Sequence, residues 1–274
     1  MGARARTPAS LFAAPAWLSA GAGLALLSGC GGGVPLLHGA HALAPGRTAF
    51  AVGVSDRLLL GDAHHALEAA NQPMTGAPSE DDRRARGALV TLAEGPAVAP
   101  FAAARVGIPG TNEAGLSYSG QAFRGDFRHA FEWSQSALSA GLGLTGRFGQ
   151  STLDLPPGTD LSGAHGVGVD IPILFGYRSD ADLISVWGGV RGSFDHWSGK
   201  VSLDPSPAFE LSANRLAVGP ILGMSVGLPP FWVSAELELD YAHASGSLDR
   251  PGTRFDAQLS GWSARPAGAL VAKF

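Results

Sequence analysis

The 274-residue chain has a single cysteine, Cys30. No disulfide can form within it, which excludes a small disulfide-stapled secreted scaffold. Lysine is nearly absent, with Lys200 and Lys273 the two present. There is no basic tract to grip phosphates, so nucleic acid is not an expected partner. After residue 30 no apolar run approaches the ~20 residues a membrane helix needs. That excludes a helical membrane protein but leaves a membrane β-barrel open, because barrel strands are short and alternate in hydrophobicity. The formal net charge of −4 is small for this length.

What is present begins with a secretory signal. Arg4 and Arg6 form a positive n-region, Ser10 to Leu26 is apolar and rich in small residues, and Ser28-Gly29 is a small-residue cleavage site. The tetrapeptide Leu27-Ser28-Gly29-Cys30 resembles the lipobox of bacterial lipoproteins. That resemblance implies a signal peptide over 1–29 and lipidation of Cys30 as the mature N-terminus. Gly31 is not the aspartate tied to inner-membrane retention, so the implied destination is the outer membrane by way of the lipoprotein-sorting machinery. Residues 30–46, with Gly31-Gly32-Gly33, Pro35, Pro45 and Gly46, then read as the lipidated N-terminus and a flexible tether.

The remaining 47–274 form one domain. Thr48 to Asp56 alternates, with Phe50, Val52 and Val54 on one face. Residues 58–98 break the pattern. Asp62 to Asn71 and Ser79 to Glu94 are expected to be helical, with Ser79 as N-cap and acids in the first turn of the second. From Pro100 strands follow one another near 100–108, 114–132, 136–148, 167–178, 183–194, 213–227, 231–244 and 262–274. Segment 114–132 changes phase near Gly120, which reads as a bulge. Tight connections at 134–135, 179–182 and 228–230 alternate with long stretches at 149–166, 195–212 and 245–261, rich in Gly, Pro, Ser and Asp. Short turns at one rim and long loops at the other are the habit of bacterial outer-membrane barrels.

Strand alternation assigns two faces. On 231–243 one face is Phe231, Val233, Ala235, Leu237, Leu239, Tyr241 and His243; the other holds Glu236, Glu238 and Asp240. Across the strands the charged face collects Arg105, Arg124, Arg128, Arg147, Arg178, Arg191, Arg215 and Arg265 with Asp126, Glu132, Asp170, Glu236, Glu238 and Asp240. A water-facing surface would use lysine as well. Arginine suits confined, multiply hydrogen-bonded ion pairs, and buried charges must be paired. These residues are therefore expected to fill a narrow lumen as a charge network, with the apolar faces turned to lipid. A soluble barrel of the lipocalin kind would reverse the faces.

The expected fold is all-β: an antiparallel transmembrane β-barrel meander of about 8–10 strands, with a short helical insert after the first strand. The final strand carries Leu270 and Phe274 on its lipid face, and a strand ending in Phe resembles the C-terminal assembly signal of outer-membrane barrels. That implies the general barrel-assembly machinery and outer-membrane lipids as partners. Tyr177, Phe175, Trp262, Tyr241, Phe231 and Trp133 lie near strand ends, where aromatic girdles form.

Some small outer-membrane barrels edit lipid A, with His and Ser at the outer rim. Here His129 with Ser117 or Ser119, His196 with Ser198 and Asp195, and His243 with Ser245 and Asp249 are the candidate pairs; none has a spacing that specifies a triad. His64-His65 with Asp62, and His38 with His41, supply too few ligands in reach for a metal site. No cofactor, metal or catalysis is expected. The leading expectation is a lipid-anchored outer-membrane barrel with a structural, envelope or surface-interaction role. A small pore, a lipid-A-modifying enzyme and a soluble lipocalin-like periplasmic lipoprotein are the alternatives.

Overall fold

The structure is a computed structural model and describes residues 34–72, 79–95, 98–148, 159–203, 206–250 and 252–274. Cys30 and the signal segment lie outside the described residues. Among the described residues eleven strand segments, all paired antiparallel to their neighbours, close a ring. They are β1 (Thr48–Ser55), β2 (Leu58–Leu60), β3 (Ala99–Ile108), β4 (Asn112–Ser119), β5 (Ala122–Trp133), β6 (Ser136–Phe148), β7 (Thr159–Arg178), β8 (Ile184–Leu203), β9 (Ser206–Leu228), β10 (Phe231–Arg250) and β11 (Thr253–Lys273). The β1–β11 pairing closes the barrel. β2 continues β1 along β11 in the same register, so the two are one strand interrupted at Asp56-Arg57. Ten positions therefore surround the lumen.

Two helices, α1 (Asp62–Ala70) and α2 (Ser79–Glu94), lie between β2 and β3. The side chain of Ser79, the expected cap, is outside the described residues. No helix among the described residues is long and apolar enough to cross a membrane.

Three expectations are corrected. The segment 114–132 is two strands, not one with a bulge. Gly120 takes a positive φ of 52° at the turn, and Ser119 pairs with Ala122 across it. The phase change between Tyr118 and Phe123 is the mark of chain reversal. Second, β7–β11 run 20 to 23 residues and absorb most of the stretches expected as long loops. Their alternation continues there with its polarity exchanged. Third, the described part of the tether is not flexible chain on the outside: Val34, Leu36, Leu37 and Ala40 are buried inside the barrel.

The tight turns after β3, β5, β7 and β9, together with Thr48 and Phe274, mark one rim, here the lower. The Thr48 and Phe274 backbones exchange hydrogen bonds of 2.8 and 3.0 Å. The upper rim is uneven. β3–β6 stop early, while β7–β11 rise as a tall wall whose concave inner side receives α2.

Candidate functional site

The lumen is filled in three tiers, and each follows from strand parity. In the lower tier residues 34–43 form an extended plug. Val34 and Leu37 pack with Phe101, Trp232 and Val271; Leu36 and Ala40 pack with Leu174, Trp187 and Ile221. The plug backbone meets charged side chains of the wall. Glu236 accepts from the Leu36 and Leu37 amides at 2.8 and 2.9 Å, Glu132 from Ala42 at 2.8 Å and Glu113 from Leu43 at 2.8 Å. Arg128 donates to the carbonyls of Gly39 and His41, and Arg191 to that of Val34 at 2.9 Å. A cavity of about 100 Å³ remains beside the plug, lined in part by His38, His41, Arg178, Asp182 and Lys273.

The middle tier is an unbroken chain of ion pairs alternating in sign. It runs Arg128–Glu113 (2.9 Å), Arg105, Asp126, Arg124 (2.6 Å from Asp126) and Asp170 (2.8 Å from Arg124). Arg191 follows at 3.0 Å from Asp170 and 3.3 Å from Glu238, then Arg265, Asp240 and Arg215. There it forks, to Asp195 and Arg147 on one side and to Glu94 and Arg57 on the other. The chain ties β3–β11 to one another and to the end of α2. Asp240 and Arg124 are each 1% exposed, so these charges have no solvent to fall back on.

The upper tier is apolar. Ala85, Ala88, Leu89 and Leu92 of α2 pack against inward residues of the tall wall, among them Trp197, Val201, Phe209, Leu211 and Leu248. At the base of α2, Glu94 reaches Arg215 at 2.7 Å and accepts from Ser263 at 3.1 Å. Burial would raise the Glu94 carboxyl, but the Arg215 and Arg57 guanidiniums beside it hold it below the usual range.

The structure brings most of the expected lumen charges into that one chain. Glu132 and Glu236 go to the plug, and Arg178 stands at the lower mouth beside the cavity. Sequence reasoning misses Glu113, Asp195, Glu94 and Arg57. Glu113 opens a strand that alternation alone merges with the next. Asp195 groups with His196 as rim chemistry in the sequence, although adjacent strand residues face opposite ways.

The candidate catalytic pairs do not form. His129 and His196 meet Asn112 and Asn214, each at 2.9 Å, and His243 meets Ser260 at 2.7 Å. Ser198 contacts His165 instead, at 3.2 Å, and Asp195 is held by arginines inside. His64 and His65 both turn to Glu68.

The outer surface is apolar and then abruptly polar. From the lower rim upward β9 presents Leu228, Val226, Met224, Leu222, Val218 and Leu216, with Leu222 68% exposed. Above Leu216 the same face carries Asn214, Ser212 and Glu210, all exposed. β10 changes at Tyr241, above which come His243, Ser245, Ser247 and Asp249. β11 changes at Trp262, above which come Ser260, Gln258, Asp256 and Arg254. Tyr241 and Trp262 stack edge-on at 5.3 Å at this boundary. At the lower rim Trp133 lies 6.4 Å from Phe175, and Phe274 lies 6.5 Å from Phe50. Leu270 and Phe274, the expected assembly residues, are exposed on this outer face. The ten to twelve residues between the two aromatic levels span about 25 Å for tilted strands.

Against known proteins the chain finds solved barrels but no family. No protein-family model matches it. No curated protein matches it either. Among solved structures it is similar to the attachment invasion locus protein Ail of Yersinia pestis, at 10% identity and a TM-score of 0.35, over 84% of this chain and 99% of that one. It is similar to the outer membrane protein OprG of Pseudomonas aeruginosa at 9% identity and a TM-score of 0.37, over 86% and 99%. A major outer membrane protein of Thermus thermophilus gives 10% identity and a TM-score of 0.36, over 83% and 99%.

Proposed function

We propose that this protein is an outer-membrane β-barrel of Gram-negative type with a sealed lumen, acting through structure and surface contact, without catalysis. The observation that carries the reading is the exchange of polarity at the level of Tyr241 and Trp262. Below it the outside is apolar and the inside holds the ion-pair chain with the plug beneath it; above it the outside is polar and the inside is an apolar core. One chain has two opposite outer faces, which matches two solvents, hydrocarbon around the lower barrel and water around the tall wall. A lipocalin-like barrel in water has one polarity along its whole length.

The lumen carries no solute in this reading. The plug, the ion-pair chain and α2 occupy it in turn, which argues against the small pore. Outer-membrane lipids cover the lower band, and the general barrel-assembly machinery places it there, guided by the strand ending in Phe274. A lipid on Cys30, delivered by the lipoprotein-sorting machinery, adds a second attachment. The tall wall projects about 20 Å beyond the band for a partner at the surface.

The test is fractionation followed by gel migration with and without heating. The protein is expected in outer membranes, to need detergent for extraction and to migrate faster unheated. In planar bilayers it is expected to add no steady conductance. A delipidated protein that stays monomeric without detergent would overturn the reading.

A further inference from the structure

Two inward-facing strand acids stand outside the ion-pair chain. The described partners of Glu236 are the amides of Leu36 and Leu37 and, more weakly, the Trp187 indole at 3.3 Å. That of Glu132 is the amide of Ala42. Glu236 is buried, and a buried carboxylate without a paired cation is costly; charge-assisted bonds from the backbone amides offset it, while Glu132 makes its bond at an exposed position. Arg128 complements them by donating to two carbonyls of the same segment. The lower wall is thus built around the backbone of residues 34–43, not around another wall residue.

The same segment has the outward form of a second processing signal. Ala40-His41-Ala42 ahead of Leu43 has the small-x-small form of a secretory cleavage site and follows apolar residues. Cleavage behind Ala42 would remove the donors to Glu236 and Glu132 and the side chains that fill the two apolar clusters. Cleavage ahead of Val34 removes none of them.

We infer that the exported protein keeps residues 34–43 as a built-in plug: signal processing falls upstream of Val34, and the Ala42–Leu43 bond stays intact. This rests on the reading of the chain as an exported barrel. The segment is an internal ligand, recognised through its backbone by charged residues of the wall.

The test is the intact mass and N-terminal peptides of the full-length gene product recovered from cells. A chain that begins before Val34, with peptides crossing Ala42–Leu43, is the expected result. A chain that begins at Leu43 overturns the inference. Seating is read separately by hydrogen exchange. In Glu236→Gln one of the two carboxylate acceptors is lost, and the Leu36 and Leu37 amides are expected to exchange about tenfold faster or more. Unchanged protection in that variant would mean the segment is not held by the wall, and would also overturn it. Recovery from the soluble fraction with residues 34–43 present would refute the outer-membrane reading and leave this one standing.

Discussion

Arg215 is the hub of the lumen, in contact with Glu94, Asp195 and Asp240 at once. A planar guanidinium can divide its donors among carboxylates from a helix and two strands; a lysine ammonium cannot hold the same geometry. Arg215→Met therefore leaves three buried acids short of a cation, and a loss on the order of 3–5 kcal/mol is expected. Urea unfolding in micelles reads it as a lower midpoint, and Arg215→Lys should recover only part. Gly143 has an equally specific reason to lack a side chain. A Cβ there would lie 2.4 Å from the Asp170 carboxylate and 2.5 Å from the Arg124 guanidinium. Gly143→Ala must displace that pair and is expected to destabilise the barrel, whereas alanine at Gly125, where a Cβ meets nothing within 4 Å, should not.

His38 gives the plug a pH dependence. Burial holds its ring well below the ordinary value of 6.5, and the nearby Arg105, Arg128 and Arg124 push the same way, against the Gly39 carbonyl. His41 is lowered likewise, by burial and then by Arg178, with Glu132 and Asp182 opposing. The unfolded rings take up protons as pH drops through about 6.5, while the seated rings do not. The contribution of these two rings to the seated plug is therefore full above that value and falls below it. Exchange at Leu36 and Leu37, corrected for intrinsic rate, should be slower at pH 7.5 than at pH 5. Equal protection at the two would refute it.

Among the elements, α2 divides the molecule. Its apolar face closes the tall wall, and its acidic end enters the charged tier. Leu89→Asp places a carboxylate among Val201, Phe209 and Leu211 without a partner, a change worth several kcal/mol to the upper tier. Proteolysis of the upper ends of β8–β10 is expected, while the lower band still migrates as a folded barrel. Loss of both together would show that the tiers are not separable.

The elements also show what the sequence made legible. Period-2 alternation fixed the faces of 167–178, 213–227 and 231–243, because one face of each strand is apolar over most of its length, Leu216 to Val226 and Phe231 to Tyr241 among them. It did not separate β4 from β5. A lone Gly120 between two alternating runs fits bulge and turn alike, and the opposed parity of Tyr118 and Phe123 is what distinguishes them. The upper halves of β7–β11 resemble loops in sequence because above the Tyr241 level their outer residues are polar, with Ser, Asp, Asn, Gln and Glu among them. The apolar set, Val201, Phe209, Leu211 and Leu248, has crossed to the inner face. The plug was illegible for another reason: ten residues without period are held by side chains 70 to 200 positions away. Glu94 did leave a trace. It is an acid in the last helical turn, where the macrodipole disfavours it, so a partner outside the helix was to be expected.

At the scale of the whole molecule the barrel and the cysteine compete as explanations of membrane attachment. The apolar band encircles every strand, so its burial in hydrocarbon far exceeds what acyl chains on one residue contribute. Cys30→Ala is therefore expected to leave the protein in the membrane pellet after a high-salt wash, still shifted by heating. A lipoprotein held only by its lipid would move to the supernatant.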